Sequence, residues 1–298
     1  FIEKEVNANI SNLTKEKSSI TYARADYWTA KAILAKLYLN AKVYTGVAEY
    51  QKALDACNDI INSNVFAMST TYRENFISKN ENSTEAILAI PFDDIYTEWG
   101  WILPLVSLHY SSQQTFNLTN GPWNGLSVQT EFFYMYEDGD IRKENNFLWG
   151  AQYSSTGEPL IDNGYEKELH FTPEFVSLYN TIRQSGVRIK KWEIEMGGNG
   201  FLNSDFSVFR YTDILLMKAE ILWRMNPTSS DALELVNQIR ERAGVDPFPV
   251  LTEQNLLDER GRELFLEGWR RSDMIRFGKY NDPTIFKPYV SEDFRRLY

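Results

Sequence analysis

The chain has 298 residues, 43% of them hydrophobic and 24% charged, a composition typical of a globular protein with a substantial core. Its net charge of −10 argues against nucleic acid as a partner, because nucleic-acid binding depends on Lys and Arg side chains that neutralise phosphates. With one cysteine, Cys57, and two histidines, the chain cannot form an internal disulfide, and we expect no zinc site.

The start of the chain carries no targeting signal that the sequence reveals. It begins at Phe1, without the basic start and apolar segment of a signal peptide, and no run approaches the roughly 20 apolar residues that span a bilayer. We therefore expect any targeting or lipid-anchoring segment to lie upstream.

Residues 26–62 predict two amphipathic helices that meet at a turn near Gly46. The apolar positions recur every three or four residues and are Ala30, Ile33, Leu34, Leu37, Tyr38 and Ala41 in the first helix, and Tyr50, Ala53, Leu54, Cys57, Ile60 and Ile61 in the second. The spacing of Ala41, Tyr44 and Ala53 is similar to a tetratricopeptide unit, although an ordinary helical hairpin explains it equally well. Cys57 is expected in the core.

Residues 92–153 differ in composition. They follow a short β-like run at 86–90, are rich in Gly, Asn, Ser and aromatic residues, and show no sustained helical period before 129–136. Four of the eight tryptophans lie here, namely Trp99, Trp101, Trp123 and Trp149. Since loops usually lie at the surface, aromatic residues concentrated in a loop indicate a binding role.

Helical patterns return after this loop. Thr172, Pro173 and Glu174 form a capping pattern that predicts the start of a helix. Residues 208–280 then predict a helical block, with one helix ending at Gly244 and another opening at Thr252.

Residues 259–280, "ERGRELFLEGWRRSDMIRFGKY", predict one helix and its exit. Glu259, Glu263 and Glu267 recur every four residues, and arginine suits bidentate pairing with such carboxylates where water is scarce. We expect a scaffold here, in which loss of Arg270 or Glu263 leaves a buried partner charge unpaired. Gly261 and Gly268 are expected to leave room for another backbone. A catalytic role would need a nucleophile, metal or base nearby, which the stretch does not supply.

Four ordered segments carry a family resemblance. "NLLDERGRELFLEGWRRSDMIRFGKY" resembles the C-terminal signature of the SusD/RagB family, the surface lipoproteins that capture nutrients for Bacteroidetes. "FRYTDILLMKAEILWRMN" with "ALELVNQIRERAG", "AKAILAKLYLNAKVYTGVAEYQKALDACNDIINSNVF" and "PWNGLSVQTEFFYMYEDGDIRK" resemble further segments of the same family. The resemblance covers nearly the whole chain.

The resemblance implies a mainly α-helical, SusD-like fold, with tetratricopeptide-like helix pairs supporting long irregular ligand-binding loops and little β-structure. Residues 1–66 would form a helical, tetratricopeptide-like region, and residues 67–298 the C-terminal region with the aromatic loop at 92–153 and the helical block at 208–280, together one compact unit. Family members carry a signal peptide, a lipobox cysteine, further repeats and a Pro-rich C-terminal segment. We therefore expect an incomplete member that lacks its N-terminal part and its extreme C-terminus.

The resemblance also implies a partner and a location. The partner is a SusC-like TonB-dependent transporter, over which the protein sits as a lid. The location is the cell outer membrane, where a surface-exposed lipoprotein is held by an upstream lipid anchor.

Carbohydrate is the ligand that the aromatic loop favours. The C–H faces of sugar rings pack on aromatic rings, and sugar hydroxyls pair with amide or carboxylate groups. The predicted glycan-binding residues are Tyr96, Trp99, Trp101, Tyr110, Trp123 and Asn124. The loop resembles the starch-binding branch of the family, so we expect a preference for α-glucan. The alternative for Trp101 and Trp123 is that they only fill the interior of the loop.

Three other functions stay open. A peptide-binding member of the same family or a helical-repeat adaptor would take a peptide. A glycoside hydrolase needs two carboxyl groups roughly 5 to 10 Å apart, for which Asp93, Asp94 and Glu98 are candidates. Binding without turnover is simpler, because carboxylates also accept hydrogen bonds from sugar hydroxyls. We expect no catalytic residue and no cofactor.

A calcium loop is the remaining metal site to consider. Glu137, Asp138 and Asp140 fail the EF-hand order of ligands, because Arg142 occupies a ligand position. We expect a solvated acidic turn there and no metal.

Overall fold

The chain folds into helices joined by long irregular segments. The computed structural model describes residues 1–175, 177 and 179–284. In chain order the α-helices are α1 Ile2–Asn9, α2 Tyr27–Leu39, α3 Ala41–Thr45, α4 Tyr50–Asn62, α5 Leu103–Ser107, α6 Gln113–Phe116, α7 Thr130–Phe133, α8 Ile141–Asn146, α9 Tyr211–Met225, α10 Ser230–Arg242, α11 Glu253–Glu263 and α12 Arg270–Arg276. Short 3₁₀ turns lie at Ile10–Asn12, Tyr72–Asn75 and Tyr110–Ser112.

The β-structure is slight and comes in antiparallel pairs. The strands are β1 Ala86–Ile90, β2 Phe147–Leu148, β3 Gly150–Ala151, β4 Ile161–Asp162, β5 Lys167–Glu168, β6 His170–Phe171, β7 Arg188–Ile189 and β8 Phe206–Arg210. They pair as β1 with β8, β2 with β7, β3 with β6 and β4 with β5. The mainly helical fold class is confirmed, as is the strand at 86–90.

The predicted N-terminal hairpin forms from α2 and α4, which pack against each other. Asp26 caps α2, since its carboxylate accepts a hydrogen bond from the backbone N–H of Thr29 at 2.8 Å. The short helix α3 ends at Gly46, whose φ of +79° lies in the left-handed region that glycine adopts without strain. Cys57 is fully buried on the apolar face of α4, as expected.

Helix α9 is shared by two cores. Ile214, Met217 and Ile221 join a core formed with α2, α4 and the β1–β8 pair. Leu216 and Ala219 join a second core formed with α10 and α11. A helix that is apolar around most of its circumference is an interior helix, so α9 ties the N-terminal hairpin to the C-terminal helices.

The regular spacing of acids in residues 259–280 builds a buried ion network centred on Glu263. The Glu263 carboxylate pairs with three arginines from different elements: Arg142 of α8 at 3.2 Å, Arg210 of β8 at 2.9 Å and Arg242 of α10 at 2.5 Å. Glu85, just before β1, pairs with the latter two arginines at 2.9 and 2.5 Å. All five side chains are at most 3% exposed, so the scaffold prediction for this stretch is confirmed.

A second buried ion centre lies between α9 and α12. Arg260 pairs with Asp213 at 3.0 Å and with Asp273 at 2.9 Å. Arg276 pairs with Glu220 at 2.6 Å and with the same Asp273 at 2.7 Å. The neighbouring cations outweigh the effect of burial and hold the pKa of Asp273 at about 2, below its ordinary value of 3.8.

Residues 259–280 are not one helix, and this prediction was wrong. Helix α11 ends at Glu263, and α12 starts at Arg270. Between them Leu266 and Gly268 adopt left-handed conformations, with φ of +58° and +86°, which an α-helix cannot continue through. The turn lets Glu267 leave the helical line of Glu263 and accept hydrogen bonds from Arg210 and Lys191.

Two details predicted for this stretch were also wrong. Arg270 is not a partner of the buried carboxylates in the described structure; its guanidinium donates to the backbone carbonyl of Leu257 at 2.7 Å. At Gly261 the nearest atom to an added Cβ is the Arg270 guanidinium at 2.7 Å, so the glycine makes room for a side chain rather than a backbone. At Gly268 no atom lies within 4 Å of such a Cβ, and its positive φ explains the glycine instead.

The helix predicted to start at Thr172 does not form in the described residues around it. The backbone N–H of Thr172 donates to Gln184 at 3.2 Å, and its carbonyl accepts from Gly186 at 2.7 Å. Thr172 thus makes a parallel bridge with Ser185. A long-range pairing has replaced the local capping pattern.

The division of the chain at residues 66 and 67 stays a prediction. The core around α2 and α4 includes Phe66 together with Ile87 and Phe209, which follow that boundary. The last part of the range 67–298, residues 285–298, lies outside the described residues, as do positions 176 and 178.

Replacing Glu263 by alanine should lower the free energy of unfolding by about 3 to 5 kcal/mol, because three buried arginines, Arg142, Arg210 and Arg242, each lose one of their carboxylate partners. Glu241→Ala is the matched control, since Glu241 is exposed on α10. Chemical denaturation of both variants measures the difference. Equal stability of the two variants would contradict the structural role of Glu263.

The ion network also predicts a loss of stability in acid. The pKa of Glu263 lies well below its ordinary value of 4.5, and that of Asp273 is about 2, so the unfolded chain binds protons more readily than the folded one. The stabilisation is fully present above pH 4.5 and declines as the pH falls toward 2. We expect the melting temperature to fall in this window. The fall should persist in about 0.5 M NaCl, which screens exposed charges far more than buried ones; a melting temperature that stays constant down to pH 2.5 would contradict the prediction.

Candidate functional site

Two exposed tryptophans from distant parts of the aromatic loop lie side by side. The rings of Trp99 and Trp123 have centroids 6.3 Å apart and planes 19° apart. Their exposed fractions are 56% and 45%. Large indole faces seldom stay open to water without a role, so this pair, the tryptophan platform, is the candidate site.

A turn and a ring contact position Trp99. The Asp93 carboxylate accepts hydrogen bonds from the backbone N–H groups of Ile95 and Tyr96 at 2.7 and 2.6 Å, which closes the preceding turn. The indole of Trp99 packs on Phe201 at 5.0 Å. Trp99 has a φ of +64°, which is uncommon for a bulky residue, and such strain is typical of functional loops.

Backbone hydrogen bonds to α5 position Trp123. Its N–H donates to the carbonyl of Leu105 at 2.6 Å, and the N–H of Gly125 donates to Val106 at 2.7 Å. Helix α5 is itself fixed, because the Ser107 hydroxyl accepts from the backbone N–H of Ile189 in β7 at 2.8 Å. The loop that carries Trp123 is therefore attached to regular structure on one side.

Trp101 lies in an aromatic core next to the platform. Its ring contacts Phe92, Trp192 and Phe206 at centroid distances of 4.8, 4.7 and 5.0 Å. Trp101 is only partly buried, and it contributes to a cluster that contains the fully enclosed Tyr72. Trp101 therefore packs the interior side of the loop, and part of its ring stays exposed.

The two predicted tyrosines stand apart from the tryptophan stack. Tyr96 is 89% exposed, on the turn before Trp99. Tyr110 is half-exposed and lies beside the guanidinium of Arg183, 5.6 Å from its ring centre. Among the described rings, neither tyrosine stacks on Trp99 or Trp123.

Asn124 holds an arginine that the sequence analysis missed. Its side-chain oxygen accepts from Arg188 Nε at 2.9 Å and from an Arg188 terminal nitrogen at 2.7 Å, and its amide nitrogen donates to the carbonyl of Arg183 at 3.1 Å. Arg188 sits 64 residues away, in a two-residue strand, so no local spacing could have revealed the contact. The one available signal was an arginine between the apolar residues Val187 and Ile189.

The three acidic candidates for catalysis differ in their surroundings. Asp93 uses its carboxylate for the turn before Trp99, Asp94 is half-buried, and Glu98 is exposed. No group of three or more His, Cys, Asp or Glu side chains suited to a metal ion occurs in the described part of the chain.

The acidic turn at 137–140 is only partly solvated, which corrects the prediction. Asp138 is exposed, but Asp140 is buried and pairs with Arg142 at 2.8 Å. Glu137 pairs with Arg240 at 2.8 Å. The acids are held by arginines that lie close only in the folded chain.

Within residues 1–175, 177 and 179–284, no helix has both the length and the apolar character of a membrane span.

Substituting Asn124 by alanine should cost about 1 to 3 kcal/mol of stability, because two donors of the buried Arg188 lose their acceptor. The loss should appear in chemical denaturation, together with a faster exchange of the amide hydrogens that join the Trp123 loop to α5. Asn117→Ala is the control, since Asn117 is also an asparagine with a left-handed backbone, but its oxygen bonds only the exposed Ser155. If both variants are equally stable, the Asn124–Arg188 contact does not hold the loop.

Comparisons with known proteins place this chain in a family. The model of the SusD family matches residues 33–294. The starch-binding protein SusD of Bacteroides thetaiotaomicron is 27% identical, over 94% of this chain and 56% of that protein. The chain spans about half the length of the curated relatives it matches.

Solved structures share the fold. Surface glycan-binding protein A from Bacteroides thetaiotaomicron, in complex with laminarihexaose, superposes with a TM-score of 0.74 at 20% identity, over 99% of this chain and 66% of that one. A structure with a xylogluco-oligosaccharide superposes with a TM-score of 0.70 at 22% identity, over 93% of this chain and 55% of that one. The family match over most of the sequence and the shared fold lead to one conclusion: the chain belongs to the SusD family.

Proposed function

We propose that this protein binds oligosaccharides on the tryptophan platform of Trp99 and Trp123. The observation that carries the proposal is the exposed, nearly parallel pair of indole rings. A sugar ring that stacks on an indole removes water from two apolar faces, and apolar burial is worth about 25 cal/mol per Å². A contact of a few tens of Å² then contributes on the order of 1 kcal/mol before ordering costs.

The other predicted residues differ in how directly they would contact the ligand. Tyr96 and Tyr110 extend the aromatic surface on the same loop, and both are accessible to a ligand. Trp101 contributes its partly exposed edge and keeps the loop in shape. Asn124 acts chiefly through Arg188, because its amide groups already have partners.

The ligand class within this proposal is starch-like α-glucan. One relative is a starch-binding protein at 27% identity, which supports it. The two ring planes are inclined by 19°, an angle that a curved α-glucan follows more closely than a flat cellulose-type β-glucan does. Solved structures with a related fold contain laminarihexaose or a xylogluco-oligosaccharide. These glycans are therefore the alternatives to α-glucan.

The cellular role follows from family membership and is equally a proposal. A SusD-family protein would capture glycan at the surface of the outer membrane, anchored through a lipid upstream of this chain, and pass it to a SusC-like TonB-dependent transporter. It would bind without hydrolysis, since the carboxylate of Asp93 is committed to its own turn. A peptide ligand has no comparable support in the site.

Calorimetric titration of maltoheptaose, cellohexaose and laminarihexaose tests the proposal. We expect maltoheptaose to bind best, with a dissociation constant in the micromolar to millimolar range that corresponds to roughly 4 to 8 kcal/mol. Trp99→Ala and Trp123→Ala should each weaken it about fivefold, the equivalent of the stacking contribution of about 1 kcal/mol. Incubated samples should show no new reducing ends.

Tyr44→Ala is the matched control, because Tyr44 is an exposed aromatic residue on α3, in the N-terminal hairpin. It should bind like the wild type. Folded tryptophan variants with unchanged affinity would reject the platform. A preference for cellohexaose or laminarihexaose would reject the α-glucan assignment and leave glycan binding intact.

A further inference from the structure

A pocket that contains two arginines lies next to the tryptophan platform. Its volume is about 570 Å³, within the range of small-molecule sites, and it is open to solvent. Asn124, the residue after Trp123, forms part of its wall, together with Gln129, Ser185 and the side chains of Arg183 and Arg188. A ligand on the platform is therefore close enough to extend into the pocket.

The charge of this pocket is opposite to that of the whole chain. The net charge of the protein is −10, yet the only charged residues among the described residues that line the pocket are two arginines, Arg183 and Arg188. A concave surface with cations and no lining carboxylate concentrates positive potential.

Arg188 is a buried cation whose partners are all uncharged. Its guanidinium donates to the Asn124 side chain and to the backbone carbonyls of Arg183, Ser185 and Gly186. Within the described part of the chain, no carboxylate forms an ion pair with it. Burial lowers the pKa of Arg188 to about 10, so the group still carries its charge at neutral pH, at a cost in free energy.

Other buried arginines of this protein pair with carboxylates, and Arg188 does not do so within the described residues. Arg142, Arg210 and Arg260 are as deeply buried as Arg188, and each pairs with two or more carboxylates. Each of these three fully buried arginines is neutralised by carboxylates of the fold. Arg188 is instead left charged at the wall of an open pocket, where a ligand can neutralise it.

Arg183 supplies the hydrogen bonds that Arg188 cannot. Half of its side chain is exposed, and the guanidinium stands 5.6 Å from the ring centre of Tyr110. Its terminal nitrogen Nη1 forms a long ion pair with Asp162 at 3.9 Å, which is beyond hydrogen-bond distance. The planar fork is thus available to an oxyanion, which it binds in bidentate fashion.

We infer that this pocket binds an anionic substituent of the glycan, a uronic-acid carboxylate or a sulfate or phosphate ester, with Arg183 in direct contact and Arg188 providing buried positive charge. The inference rests on the proposed function, because it assumes that the sugar chain itself lies on the tryptophan platform. It adds that charged glycans are preferred over neutral ones of the same backbone.

Titration of three matched ligands tests the inference. They are maltoheptaose, maltoheptaose with one glucose unit oxidised to glucuronic acid, and maltoheptaose with one 6-phosphate or 6-sulfate. At low salt at least one anionic ligand should bind about tenfold more tightly than the neutral one, as expected for a charge-assisted, bidentate contact. The advantage should shrink as salt is added. Comparison of the carboxylate with the esters tells the two sources of negative charge apart.

Arg183→Gln should abolish this advantage and leave the affinity for neutral maltoheptaose unchanged. Arg183→Lys, which keeps the charge but loses the fork, should retain only part of it. Lys42→Gln is the control for net charge, because Lys42 is exposed on α3 and lines no part of the pocket. It should keep the full advantage.

The outcomes separate the two proposals. If neutral maltoheptaose binds and neither anionic ligand binds better, or if Lys42→Gln removes the advantage as much as Arg183→Gln does, the anion pocket is rejected while the platform stands. If the anionic ligands bind through Arg183 but Trp123→Ala has no effect on any ligand, the platform is rejected while the anion pocket stands. If no ligand binds, both are rejected.

Discussion

The buried ion network around Glu263 is the constraint on which the rest of the structure depends. Its arginines come from α8, β8 and α10, so one carboxylate joins the loop region to the helical block. An isolated charge in this interior would be prohibitively costly, whereas a fully paired one is tolerated only in one arrangement of the elements. Packing in the two cores that share α9 supplies most of the apolar burial, and the network determines how the loop region is placed against them.

The rings of the candidate site are held in place by contacts to the rest of the fold. Trp123 is fastened through backbone bonds to α5, and α5 is held by β7. Trp99 depends on the turn closed by Asp93 and on its contact with Phe201. A platform built from loops binds well only if its rings are already in place, because ordering flexible loops on binding would consume the small free energy that stacking provides.

Arginines form part of the scaffold in one region of this protein and line the proposed binding pocket in another. The two groups differ in the residues that they pair with. In the helical block, Arg210 faces carboxylates and is part of the scaffold. Beside the platform, the hydrogen bonds of Arg188 within the described residues all go to carbonyl groups, and Arg183 is accessible to solvent. Among the fully buried arginines, burial alone therefore does not distinguish a structural cation from a binding one; the presence or absence of a neutralising acid does.

The sequence by itself determined the elements whose signals are local. The apolar period of α2 and α4, the caps at Asp26 and Thr252, and the glycine that ends α10 at Gly244 act within a few residues, so they are readable before folding. The family motifs added the fold class. They also identified the aromatic loop, though not which of its rings meet.

Only the tertiary structure decided the rest. It broke residues 259–280 at Gly268, and it paired Thr172 with a strand-like segment instead of a helix. It brought Trp99 to Trp123 and Arg188 to Asn124. These contacts join residues far apart in the chain, and their free energies arise from burial and from the pairing of charges that lie close only after folding, which no periodicity encodes.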